Sequence, residues 1–113
     1  MTLIISSMSL IMTESQLVNS LLEYCERINV FAKRQNTGAY KTERGGFVRF
    51  GVKGSGDIII VIGGQHIEVE AKVGKNKQST SQKEYQNRLE DAGGLYWLCY
   101  SLEDLKFRLD DFV

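Results

Sequence analysis

Apolar and polar positions along this 113-residue chain recur first at helical and then at strand spacing, and the changes of period mark its elements. After the apolar opening MTLIISSMSLIM, Thr13 reads as a helix N-cap, with Gln16 at the spacing of a capping box. Leu17, Leu21, Tyr24 and Ile28 form one stripe of that helix, and Glu14 sits a turn ahead of Leu17 on the same stripe. VFAKRQ predicts a short strand, NTGAYKTERGG a loop, FVRF a second strand and GVKGSG a glycine-rich turn. Next comes GDIIIVIGGQHIEVEAK, two apolar runs meeting at Gly63-Gly64, a strong signal for a two-residue hairpin turn of type I′ or II′. Ser81, with Glu84 three residues on, predicts the next helix, with Gln82, Tyr85, Leu89 and Ala92 facing inward and Gly93-Gly94 as its stop. LYWLCY reads as a buried strand, and Ser101 caps a last helix bearing Leu102, Leu105, Leu109 and Phe112.

The expected order is α-β-β-β-α-β-α, an α/β domain with a mixed four-stranded sheet flanked by helices. Residues 1–12 are expected to be an N-terminal tail or strand and 13–113 a single domain. Nothing approaches the roughly 20 apolar residues of a membrane span, and the opening lacks a basic leader segment and a cleavage site. Cys25 and Cys99 read as buried free thiols of a reducing compartment, so a cytoplasmic protein is expected.

The hairpin turns this topology toward chemistry. A two-residue turn at Gly63-Gly64 pairs residues whose numbers sum to 127, which puts Asp57 opposite Glu70, Ile59 opposite Glu68 and Val61 opposite His66 on one face. Ile58/Val69 and Ile60/Ile67 make the other face wholly apolar. Two carboxylates so placed repel each other unless they share a hard cation that takes oxygen ligands, Mg²⁺ or Mn²⁺. Asp57 and Glu70 are therefore the expected metal ligands, with the Ala71 carbonyl as a further oxygen donor and Glu14 completing the outer shell or binding a second ion. Such an ion lowers the pKa of water and stabilises charge on a phosphoryl oxygen. Lys72, on the face of Glu70, would hold water or the scissile phosphate, and Gln82, heading its helix stripe, would orient one of them. His66 lies on this face too but far from the carboxylates, and is expected to face solvent.

The composition leaves few other chemistries open. His66 is the single histidine, which excludes a His-rich zinc site, and no Ser-His-Asp candidate is read around it. The net charge is zero, yet residues 33–53 carry +5 and residues 72–83 carry +4. Lys33, Arg34, Lys41, Arg44, Arg49, Lys75 and Lys77 are the candidate phosphate contacts of a nucleic-acid face.

The arrangement Asp…Glu-x-Lys on a hairpin flanked by helices resembles the PD-(D/E)XK nucleases, and more narrowly the virus-type replication-repair nuclease (VRR-NUC) domain family. TESQLVNSLLEYC, RQNTGAY, FVRFGVKGSGDIIIV, IEVEAKVGKNKQSTSQKEYQNRLEDAGG and SLEDL carry the likeness over residues 13 to 105. It implies a small restriction-endonuclease-like core, with Asp57, Glu70 and Lys72 as the catalytic core, Glu14 and Gln82 in support, and Asn36 in the family's Asn-Thr-Gly segment on the DNA side. Where the family often has proline before the aspartate, this chain has Gly56. Family members made of this domain alone resemble dimeric structure-selective endonucleases, so a homodimer that cuts branched DNA, including four-way (Holliday) junctions, is expected. A flap, nicking or restriction-like nuclease, or a catalytically idle nucleic-acid-binding module on the same fold, are the alternatives.

Overall fold

The computed structural model describes residues 12–36 and 38–113. Apart from Met12, the expected tail therefore lies outside the described residues. Thr13 caps the first helix as expected: its hydroxyl accepts the Gln16 N–H at 3.1 Å, and the Gln16 amide oxygen accepts the Thr13 N–H at 2.9 Å. This helix, α1 (Glu14–Arg27), buries Leu17, Val18, Leu21 and Cys25, with Tyr24 and Ile28 half-buried beside them. Asn29, at a φ of 60°, turns the chain out of the helix, a conformation asparagine tolerates better than most residues.

Six strands follow: β1 (Phe31–Arg34), β2 (Gly38–Lys41), β3 (Phe47–Phe50), β4 (Ile58–Ile62), β5 (Gln65–Ala71) and β6 (Leu95–Cys99). Between β5 and β6 lies α2 (Thr80–Asp91), and α3 (Leu102–Leu109) closes the chain. The main sheet runs β1-β4-β5-β6, antiparallel except for the parallel β5/β6 pair, so it is the expected mixed four-stranded sheet. Gly63 and Gly64 both have positive φ, 55° and 82°, which selects the type I′ turn. The predicted register holds from Ile62/Gln65 to Ile58/Val69.

Ile58, Ile60, Ile67 and Val69 are wholly buried on one face of the sheet, against Leu17 and Leu21 of α1 and Leu105 and Leu109 of α3. The opposite face carries Glu68, Glu70 and Tyr96, all buried, and α2 lies over it through Tyr85. Ser101 caps α3 as expected, its hydroxyl accepting the Asp104 N–H at 3.2 Å. Cys25 and Cys99 are free and buried. Burial pushes their thiols up, to about 11 and about 12, and so keeps them unreactive.

Two expectations need correction. FVRF is a strand as expected, β3, but it pairs with β2, whose GAYK lies in the stretch read as a loop, and the two form a sheet of their own. The turn between them is made by Thr42, which exchanges bonds with Gly46, and by Gly45 at a φ of 87°. The order α-β-β-β-α-β-α thus holds for the main sheet and its helices, with a separate hairpin inserted between β1 and β4. The second correction is the start of α2. Ser79, not Ser81, is its cap, with Gln82 at the third helical position. The capping spacing occurs twice, two residues apart, and the earlier pair closes the box: the Ser79 hydroxyl takes the Gln82 N–H and the Gln82 amide oxygen takes the Ser79 N–H at 2.8 Å.

Candidate functional site

The sheet brings Asp57, Glu70 and Lys72 together at the end of the central hairpin away from its turn. Asp57 lies one residue before β4. The regular ladder would set it squarely opposite Glu70, but its N–H donates to the Val69 carbonyl at 2.7 Å. Asp57 and Ile58 thus both face Val69, the arrangement of a β-bulge, which re-aims a side chain. The Asp57 Oδ2 accepts the Ala71 N–H at 2.8 Å, so the carboxylate reaches across the partner strand beside Glu70.

Glu70 is 4% exposed. Burial, then the charge of Asp57 and a hydrogen bond with it, push the Glu70 carboxyl up to about 8; Lys72 opposes this and Glu14 adds to it. At neutral pH Glu70 therefore tends to keep its proton. The Lys72 Nζ lies 3.9 Å from the Glu70 Oε2 on a side chain only 12% exposed. Two hard oxygen donors on neighbouring strands fit a divalent cation. Asp57 and Glu70 would hold it, with the Ala71 carbonyl as the expected further ligand. Among the described residues, no group of three or more His, Cys, Asp or Glu side chains is arranged to hold a metal.

Of the supporting residues, Glu14 is near and Gln82 is engaged elsewhere. Glu14, half-buried in the first turn of α1, is close enough for its charge to act on Glu70, and its Oε2 accepts the Asn76 side-chain N–H at 3.3 Å. The Gln82 amide oxygen caps α2. The start of that helix packs closely on the glycine-rich turn: a Cβ on Gly54 would lie 2.3 Å from the Ser81 carbonyl oxygen.

The candidate phosphate contacts are exposed but spread out. On β1, Lys33 faces the side that carries Glu68 and Glu70, opposite Ile59, while Arg34 points the other way and donates to the Asn19 side chain at 3.3 Å. Asn36 is exposed just beyond β1, and Lys75 and Lys77 are exposed between β5 and α2. On the inserted hairpin, Lys41 is paired with Phe47 and Arg49 with Ala39, which puts both cations on one face with the exposed Phe47; Arg44 is in the turn.

Several residues were not recognised as part of this region. Tyr96 is buried beside the carboxyls and donates its hydroxyl to the Gly54 carbonyl at 3.1 Å. Burial and the charges of Glu70 and Asp57 push that hydroxyl well above the usual tyrosine range. Glu68, 2% exposed, accepts from Gly56, Gln35 and Tyr85, and its Oε2 lies 2.9 Å from the His66 Nε2. Burial works to raise the Glu68 carboxyl, but these four bonds outweigh it and hold it below its ordinary value. His66 faces solvent as expected, its side chain 43% exposed, and is also tied to Glu68. The signal for Glu68 was its place two residues before Glu70, a second carboxylate on the same face of a central strand.

Comparisons with protein-family models and with curated protein sequences find no match to this chain. The fold and site define an α/β domain whose central hairpin gathers two carboxyls and a lysine beneath the start of a crossover helix. No helix among the described residues is long and apolar enough to cross a membrane.

Proposed function

We propose that this domain is a Mg²⁺- or Mn²⁺-dependent DNA endonuclease with a PD-(D/E)XK core, similar to the VRR-NUC domains and selective for branched DNA. The observation that carries the reading is the Asp57/Glu70 pair, two carboxyls forced together in a buried site with Lys72 as flanking cation. A buried carboxyl with a raised pKa beside a second carboxylate costs stability and needs a reason; shared binding of a cation supplies one. When bound, the cation supplies charge against the scissile phosphate and acidifies water. The chain does the rest. The bond from Ala71 aims Asp57, and Lys72 presents a compact ammonium where charge develops on the phosphate. Glu14 adds negative charge at the rim. The basic and aromatic face of the inserted hairpin, with Lys33, Lys75 and Lys77, meets the DNA backbone. A two-fold homodimer would supply the second site that symmetrical junction cutting needs.

The test is to incubate end-labelled four-way junction, flap, single-stranded and linear duplex DNA with the protein in Mg²⁺, Mn²⁺ or EDTA. Paired symmetrical cuts in the junction that require metal are the expected result. Cleavage of another substrate alone removes the junction preference. Absence of cleavage by a folded, DNA-binding protein favours an idle binding module. DNA affinity should also fall steeply with salt. Replacing Lys41 and Arg49 together by glutamate should flatten the plot of log affinity against log salt by about two units of slope, since each phosphate contact contributes about 0.9. An unchanged slope in fluorescence anisotropy would take the hairpin off the DNA.

A further inference from the structure

We infer that half-buried Gln35 and buried Glu68 form a strut that sets the position of Asp57, and that the cation affinity of the site depends on it. The consequence for cation binding rests on the nuclease reading; the strut itself rests on geometry alone.

Asp57 and Gly56 lie outside any regular strand, so their backbone groups need partners beyond a ladder. All four are satisfied. The Gly56 N–H donates to the Glu68 Oε1 at 3.0 Å. The Gly56 carbonyl accepts the Gln35 Nε2 at 3.0 Å. The Asp57 N–H donates to the Val69 carbonyl and the Asp57 carbonyl accepts the Gln35 N–H, both at 2.7 Å. Three of these four bonds therefore come from Gln35 or Glu68. The same Gln35 amide also donates to the Glu68 Oε1 at 3.0 Å, so the two side chains lock each other.

Glu68 has no oxygen to spare for a ligand. Its Oε1 takes Gly56 and Gln35, while its Oε2 takes the Tyr85 hydroxyl at 2.6 Å and faces the His66 Nε2 at 2.9 Å. A buried carboxylate so fully engaged acts by holding other groups in place. Gly56 shows how tight the hold is. A Cβ there would meet the Glu68 Cβ at 2.9 Å and the Val69 backbone N and O at 3.0 Å. A proline would add that clash and lose the N–H that Glu68 accepts. The chain thus fixes the approach to Asp57 with a side-chain strut across the hairpin instead of a rigid ring.

The two Glu68 oxygens separate positioning from general stability, because one faces the Asp57 segment and the other faces α2. Gln35→Ala removes bonds on the first side, and Tyr85→Phe removes one on the second. The Ala71 amide, which donates to the Asp57 Oδ2, reports the placement of the aspartate without any metal. Amide hydrogen exchange would be followed by NMR in the metal-free protein, with Mn²⁺ affinity measured separately by calorimetry. In Gln35→Ala, the Ala71 amide should exchange at least tenfold faster while the central hairpin amides of Ile60 and Ile67 keep their protection. Mn²⁺ affinity should fall about tenfold or more, as it does when groups that orient metal ligands are removed. Tyr85→Phe should leave Ala71 protection, relative to Ile67, and Mn²⁺ affinity unchanged. The inference is overturned if Ala71 keeps its protection in Gln35→Ala, or if Ala71 and Ile67 lose protection in step in both variants. Absence of Mn²⁺ binding by the unsubstituted protein would sink the nuclease reading, while Ala71 exchange would still decide the strut.

Discussion

Lys72→Ala should lower metal-dependent cleavage by about 10²–10³-fold, the usual cost of removing one group aimed at developing transition-state charge, with DNA affinity and fold retained. Lys72 is the cation that acts on Glu70, and its side chain is largely buried, so its charge works where water screens little. The N–H of Lys72 donates to the Cys99 carbonyl at 3.0 Å, a backbone bond that the substitution keeps. Lys72→Arg should not restore the rate, because a planar guanidinium cannot replace a compact ammonium in so enclosed a place. Single-turnover cleavage in Mg²⁺, paired with DNA binding in EDTA, separates the two effects. A variant that cleaves as well as the parent would remove Lys72 from the chemistry; one that loses binding and cleavage equally would make it a DNA contact.

The parts of the molecule that were legible in the sequence are those set by neighbours in the chain. Gly63-Gly64 fixes a turn type, the turn fixes a register, and the register puts Glu68 and Glu70 on one face and the isoleucines on the other. Thr13 and Ser101 cap their helices within three residues. What was hidden depends on residues far apart in the chain. Gln35 meets Gly56 across 21 positions and Tyr85 meets Glu68 across 17, and nothing local to either residue signals its partner. The bulge at Asp57 likewise comes from Val69 accepting its N–H, so the simple pairing of Asp57 with Glu70 holds in neighbourhood but not in ladder geometry. The β2 strand was missed because GAYK is short, exposed and flanked by turn residues, so it has no buried face to impose an alternation. The capping bond of Gln82 was hidden because the helix starts two residues earlier than its Ser81 signal implies.

The metal-free protein should lose stability as pH rises from about 4.5 to about 8. Glu70 is the cause: buried beside Asp57, it holds its proton up to about 8 in the folded state, while the unfolded chain releases it near the ordinary carboxyl value of 4.5. Across that window the folded state binds more protons, so each step up in pH favours unfolding. The contribution is fully present below about 4.5 and gone above about 8. Its size is no more than about 5 kcal/mol, since the rise from 4.5 to about 8 is about 3.5 units at about 1.4 kcal/mol each. For a domain of this size that is a fall in Tm of up to roughly 20 °C. Glu68 acts in the opposite sense and in a different range: its lowered carboxyl stabilises the fold above about 4.5 and gives that up only on further acidification. Stability should therefore peak near pH 4.5 and decline on both sides. Glu70→Gln, which removes the ionisable group, should flatten the alkaline limb and raise the Tm at pH 8. Millimolar Mg²⁺ should also raise it at pH 8, and much less at pH 5, because the cation must displace the proton Glu70 holds. Thermal scans from pH 4 to 9, with and without Mg²⁺, check both effects. An alkaline limb that survives in Glu70→Gln would place the buried proton on another group. A Mg²⁺ effect equal at pH 5 and pH 8 would place the cation away from this carboxyl pair.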